Sequence, residues 1–483
     1  MEIPAALALS GAIARENLKP GSPEWQLNRM RPTGQGGFRT ALVEGYCRAQ
    51  AYRAGETLEV CVSTNPARRF TLDLYRMGYY GGHGARLITR LGPFRGVTQP
   101  DPPEEARRLR ECRWEPSVTH KIPADWPSGV YLGKLTLLAE SSLELDWQSY
   151  IVFVVEDRRK ADIVFQVSDN TWAAYNRWPD KFSLYTDPRH AWAPGVAASF
   201  DRPYSKYSQI FTEHALSMGS GEFLLWEFPL AYWLEQQGYD VTYTSNSSMT
   251  DLANFTRAKV FLSVGHDEYW DPAQYEAAYA SVQAGVTHLY LSGNSIMGVT
   301  PYAASHDGRP KRRISREGVY GGIYGGFSDW LKLPFAMEGP SAKKLMGCHS
   351  IYPFNGGGDW ICKKPSHWIF AGTGMKQGEG IPGLVGWEFH GDPADIPTLE
   401  VVAGGEALSN GTKPVEWCST IYQGPKKNFV FSASTIWWAQ GLASPPGHIL
   451  PWSHYVRPAG PDRRVQQITR NLLRKAVDSK ALG

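Results

Sequence analysis

The chain has no apolar run of the ~18 residues that a membrane span needs, no long basic run, no internal repeat and no low-complexity segment. Each absence removes a class of protein. A membrane is not an expected partner. Nucleic acid is not one either, because it calls for cations spread over one face, whereas acids and bases nearly balance here at a net charge of +3. The densest cationic cluster, Arg309-Pro310-Lys311-Arg312-Arg313, is short and sits in a Gly/Pro-rich stretch, so it reads as a solvated loop. Cysteine is sparse: Cys47, Cys61, Cys112, Cys348, Cys362 and Cys418 are dispersed with no CxxC pair. That spacing argues against a metal–thiolate framework and predicts buried free thiols. The apolar stretch Ile3 to Ala14 follows Glu2 and lacks a basic leader, so it does not read as a signal peptide. A cytoplasmic location is expected.

What the chain does have is length and aromatic rings. Its 483 residues exceed what one hydrophobic core usually supports. Two domains are expected, 1–157 and 158–483. With 18 Trp, 24 Tyr and 19 Phe, most rings belong in cores, where they bury the most area per residue. The remainder are left to line a pocket for a small, partly apolar ligand.

Short alternating runs fill the first part: Thr57–Ser63, Phe70–Tyr75, Val130–Thr136 and Ser149–Val155. Period two with Gly, Pro and Asn punctuation describes an antiparallel β-sandwich, immunoglobulin-like in type. Asp157-Arg158-Arg159-Lys160 is a polar hinge. Beyond it, the apolar strand Ile163–Val167 leads into a polar turn at Asp169-Asn170-Thr171. A helix-like stretch follows over Phe223–Gln237, then strands at Val241–Thr244, Val260–Val264 and His288–Gly293. Asp271-Pro272 supplies an N-cap and a first-turn proline for a helix to about Gln283. Strands alternating with helices imply an open parallel α/β sheet, glutamine-amidotransferase-like in pattern. Such sheets bind ligands beyond the carboxyl ends of their strands. Three turns therefore stand out: Asp169 to Asn176, Gly265 to Trp270 and Ser292 to Ser295. No cysteine occupies any of them, which disfavours a thioester mechanism. From about Gly326 the chain reads as a β-rich C-terminal extension packed on the sheet, closed by a helix over Val465–Val477.

Gly265-His266-Asp267-Glu268-Tyr269-Trp270 carries the most chemistry. Three titratable side chains follow an apolar strand directly, and burying them costs free energy unless they are paired or bind a metal. Asp267 or Glu268 satisfying nearby backbone amides is the plain structural alternative. Tyr175, in Asn170-Thr171-Trp172-Ala173-Ala174-Tyr175-Asn176, leaves the first strand toward the same rim, and Tyr204 lies in a long connection at Phe200-Asp201-Arg202-Pro203-Tyr204. Either tyrosine could simply be packing. Phenolate and carboxylate oxygens are otherwise hard donors that suit ferric iron better than zinc.

Asp169–Asn176, Phe200–Tyr204 and Gly265–Trp270 together resemble the large subunit of N,N-dimethylformamidase. Tyr75-Arg76-Met77-Gly78-Tyr79-Tyr80-Gly81-Gly82 resembles the β domain of the same family. The resemblance implies a mononuclear iron held by two tyrosines and a glutamate, here Tyr175, Tyr204 and Glu268, with Tyr207 as the alternative second tyrosine. It further implies His266 as a proton carrier beside the metal and a second glutamate, for which Glu388 is the candidate. On that reading a ferric Lewis acid polarises an amide carbonyl and activates water. Asn170 or Asn294 would steady the oxyanion, and His266 or Glu388 would protonate the departing amine. The expected substrate is a small N-substituted amide. A homo-oligomer is expected, with a small partner subunit as an option the resemblance brings. Two rival readings remain: a non-catalytic carbohydrate- or ligand-binding protein, and a zinc-dependent hydrolase using His266 and Glu268.

Overall fold

The computed structural model describes residues 11–32, 34–40, 42–209, 216–321, 336–350, 354–409, 411–452 and 456–478. The apolar N-terminal stretch before residue 11 and the onset of the tail at Gly326 lie outside them. The described residues are mostly strands in mixed sheets, with few helices.

Each alternating run of the first part becomes a strand: Thr57–Thr64, Phe70–Met77, Gly129–Leu137 and Trp147–Glu156. They divide between two sheets. Val43–Cys47, Thr57–Thr64 and Val118–Lys121 form a three-stranded antiparallel sheet. The other has five strands, in the order Ala51–Arg53, Trp147–Glu156, Gly129–Leu137, Phe70–Met77 and Ala85–Phe94, and only its first pair is parallel. Because side chains alternate across a strand, Leu72, Leu74, Tyr131, Leu135, Ile151 and Phe153 face the three-stranded sheet. Their neighbours Tyr75, Met77, Val130, Leu132, Tyr150 and Val154 face away and pack on Phe165, Phe228 and Tyr243 of the remaining chain. The five-stranded sheet is thus covered on both faces. A fully buried, bidentate ion pair joins the two parts, Arg76 to Glu235 at 2.7 and 3.0 Å, with the Tyr243 hydroxyl also donating to Glu235.

The second part is built on a nine-stranded sheet. Val241–Ser245, Ala161–Val167, Ala258–His266, Thr287–Gly293 and Phe429–Ser432 lie side by side and parallel. Lys413–Gln423, Glu400–Ser409, Asn355–Ile361 and Gly380–Glu388 continue the same sheet antiparallel. The sheet is therefore mixed rather than purely parallel: the tail's strands extend it, while the tail's helices Ala342–Met346 and Arg463–Val477 pack on its two faces. Backbone pairing extends it edge to edge, and a bridge from Phe389 back to Thr435 brings Glu388 to the rim formed by the parallel strands.

Three local expectations change. Asp169–Tyr175 is a helix rather than a polar turn, and Asp169 to Ala174 are all buried in it. The stretch at Phe223 is a π-helical turn, Phe223–Glu227, feeding an α-helix Phe228–Gln236. Pro229 has no N–H to return to the preceding turn, which favours this break. The Arg309–Arg313 cluster is not a solvated loop. Arg312 is buried against Asp201 and the Cys47 carbonyl, Arg309 pairs with Asp201 and Asp307, and Arg313 pairs with Glu111. Asp201 and Glu111, both distant in sequence, pair with its arginines and neutralise much of its charge. No helix among the described residues is long and apolar enough to cross a membrane.

Candidate active site

The site lies at the carboxyl ends of the parallel strands. Gly265 takes φ 67° at the end of Ala258–His266, a conformation that favours glycine, and a Cβ there would sit 2.5 Å from Trp226 Cβ. The next three side chains then divide. Asp267 is bonded within the fold, accepting from Gln166 Nε2 at 2.7 Å, Ser263 Oγ at 2.8 Å and Asn246 Nδ2 at 3.1 Å. It is the structural member of the hexapeptide. His266 and Glu268, both fully buried, form the site.

Glu268 is the centre of the cluster. Its carboxylate accepts from the Tyr175 hydroxyl at 2.7 Å and from the Tyr185 hydroxyl at 3.0 and 3.1 Å. The two rings stack at 4.5 Å, and the Tyr185 hydroxyl also bonds that of Tyr269. Thr171 Oγ1, on the Asp169–Tyr175 helix, accepts the Glu268 backbone N–H at 2.9 Å and so fixes the helix against the turn. His266 Nε2 lies 3.3 Å from Glu268 and 2.8 Å from Glu388. Glu388 is held on both oxygens, by Asn294 Nδ2 at 3.1 Å and Asn355 Nδ2 at 2.8 Å. Gly293 permits this approach, since a Cβ there would meet the Glu388 carbonyl oxygen at 2.3 Å.

Burial sets the protonation of these groups, with neighbours modifying it. Burial, helped by the Glu388 charge and opposed by His266, raises Glu268 to about 7. Burial disfavours the His266 imidazolium, but Glu388 and then Glu268 and Glu222 outweigh it and lift the ring to about 9. Burial and the Glu268 charge hold the Tyr175 and Tyr185 phenols well above their ordinary value. Without a cation, then, both tyrosines are neutral donors to a carboxylate.

Of the residues singled out from sequence, the structure brings His266, Glu268, Tyr175, Glu388 and Asn294 together. Tyr204 stands apart. It packs edge-on to Trp172, and the groups acting on its phenol are Asp169, Arg312, Arg202 and Cys47 rather than Glu268. Tyr207 accepts from the Gly34 backbone N–H at 2.9 Å and packs on Phe38. Both line a small hollow with Tyr175 and Glu222, while the second phenol that donates to Glu268 is that of Tyr185. Asn170 is also engaged elsewhere: its Nδ2 donates to the Tyr269 carbonyl at 3.1 Å and its Oδ1 accepts from Tyr302 at 2.8 Å. Sequence reasoning missed Tyr185, Tyr269, Asn355 and Gln209. Tyr269 was within view, being the fifth residue of the hexapeptide. Tyr185 sits in an irregular connection with no periodic signal, and only its stacking on Tyr175 marks it.

The donors suit a cation. His266, Glu268 and Glu388 each offer a ligand atom, all within 4.8 Å of one another. His266 Nε2 is buried with no aligned hydrogen-bond partner, and the two phenols add oxygen donors on Glu268.

Residues 71–452 match the family described as "N,N-dimethylformamidase beta subunit-like, C-terminal". No curated protein matches the chain. Among solved structures, a chitin-binding domain from Burkholderia pseudomallei is 18% identical, over 22% of this chain and 57% of that domain's length. At a TM-score of 0.15, that likeness carries no weight for fold or function.

Proposed function

The chain belongs to the N,N-dimethylformamidase beta subunit-like family, and from that premise we propose that it hydrolyses the C–N bond of a small N-substituted amide at a mononuclear ferric centre held by Tyr175, Tyr185 and Glu268. The observation that carries this reading is the convergence of two partly buried phenols on one fully buried carboxylate. Loss of the two phenolic protons would leave three negative charges, which balance a ferric ion in a site that could not otherwise hold them. Hard oxygen donors favour that ion. When bound, it supplies Lewis acidity toward an amide carbonyl and toward water.

The protein's own residues supply the proton handling. His266 Nε2 and Glu388 Oε2 lie 2.8 Å apart, within reach for a proton to pass between them. An amide nitrogen leaves only when protonated, and this pair is the source of that proton. Asn294 and Asn355 keep Glu388 aimed at the histidine. Asn170 is committed to Tyr269 and Tyr302, and Asn294 gives one amide hydrogen to Glu388 and accepts from Ser350, so its second amide hydrogen is the donor it could offer the reacting carbonyl. All six cysteines are free and buried, which supports a reducing, cytoplasmic setting. Assembly as a homo-oligomer, with or without a small subunit, belongs to the same reading and is tested by size and composition of the purified complex.

The proximity of His266, Glu268 and Glu388 favours one alternative, a zinc hydrolase using that triad. Elemental analysis and absorption spectra of the purified protein test both. About one iron per chain with a visible phenolate-to-metal band is expected. Stoichiometric zinc without colour would favour the triad, and full activity after metal removal would sink both.

A further inference from the structure

The two ring nitrogens of His266 face different groups. Nδ1 lies 2.7 Å from Gln209 Oε1, whereas Nε2 lies 2.8 Å from Glu388 Oε2. An amide oxygen can only accept, so the Nδ1 contact puts the ring proton on Nδ1. Nε2 then faces Glu388 at 2.8 Å and Glu268 at 3.3 Å, and is the ring nitrogen placed to exchange a proton with them. Gln209 is itself held. Its backbone N–H donates to Glu222 Oε1, and Glu222 Oε2 accepts from Trp226 Nε1 at 3.1 Å. Trp226 Cβ in turn lies against Gly265, the residue before His266. Gln209, Glu222, Trp226 and His266 are all buried, so this circuit of contacts encloses the imidazole away from solvent.

We propose that Gln209 is a positioning residue that fixes His266 with its proton on Nδ1, making Nε2 the atom that accepts and returns the proton of amide hydrolysis. The inference rests on the proposed function, in which His266 carries a proton during that reaction. Among the described residues the Gln209 side chain has no hydrogen bond to Glu268, Glu388, Tyr175 or Tyr185, so its effect passes through the ring it holds.

Three variants test it. Gln209→Glu keeps length and an acceptor, Gln209→Met keeps length without one, and His266→Gln removes the ring. Gln209→Met is expected to lower kcat by on the order of tenfold to a hundredfold, with KM and metal content unchanged, while Gln209→Glu retains most of the activity. Nitrogen NMR of the metal-free, histidine-labelled protein supplies a readout independent of turnover. At alkaline pH, where the ring carries one proton, the His266 signal (assigned by its loss in His266→Gln) should place that proton on Nδ1. Gln209→Met should lose the preference. A proton on Nε2 in the unaltered protein overturns the inference, as does full kcat in Gln209→Met when His266→Gln is inactive. Full activity in His266→Gln would instead overturn the catalytic reading of the histidine, and the NMR result would still decide where Gln209 puts the proton.

Discussion

Tyr185 reaches Glu268 across 83 residues of sequence and shares that carboxylate with Tyr175, the two rings stacked at 4.5 Å. If these phenols are metal donors, Tyr175→Phe and Tyr185→Phe should each weaken metal binding by more than about tenfold and bleach the visible band. Ring volume is preserved, so the fold should persist. Tyr204→Phe and Tyr207→Phe serve as controls and should leave the band unchanged. Loss of the band in Tyr204→Phe, with Tyr185→Phe unaffected, would return the second donor to Tyr204.

The two glutamates should separate in their effects. Glu268→Ala removes a donor and should empty the site and abolish turnover together. Glu388→Gln preserves shape but loses the carboxylate beside His266, so metal should stay while turnover falls by roughly 10²–10⁴-fold. Metal content and kcat measured on the same preparations check this. An empty site in Glu388→Gln would make Glu388 a donor and support the His266, Glu268, Glu388 triad.

Glu268 and His266 should each lend the metal-free protein stability that is lost as pH rises. Glu268 has its folded value raised to about 7 from an ordinary 4.5, so the folded state keeps a proton that the unfolded chain releases. The contribution is complete below about 4.5 and is lost as pH climbs through 7. His266 acts in the same direction higher up: with a folded value near 9, its contribution is complete below about 6.5 and is lost through 9. In denaturant titrations from pH 5 to 9, spanning these values, the stability of the unaltered protein relative to Glu268→Gln should fall as pH climbs through 7. An unchanged slope in that variant would refute the assignment.

Arg76 and Glu235 are both fully buried. Arg76→Met strands the Glu235 carboxylate and should cost about 3–5 kcal/mol. Removing both charges, as Arg76→Met with Glu235→Leu, should recover much of that loss, because the unpaired charge rather than the missing bond dominates the cost. Equilibrium unfolding of the single and double variants decides it. A double variant less stable than Arg76→Met would show that the wider bonds to Tyr80 and Tyr243 matter more.

Local pattern was enough to locate the strands and the core of the site. The runs at Phe70, Val130, Ser149, Ile163, Val260 and His288 carry their own periodicity or apolar content, so they read correctly without a partner strand in view. His266 and Glu268 were legible because they follow an apolar strand directly, where buried charge needs a reason. Tyr185, Gln209 and the true environment of Arg312 were not legible, because each depends on a partner far away in sequence: Glu268, His266 and Asp201. The tail's strands were visible, but not their place at the edge of the main sheet, which backbone pairing between distant segments decides. Periodicity records how a segment meets solvent and core. Which side chains share a carboxylate, and which acids neutralise a cluster of arginines, is decided only once the chain has closed on itself.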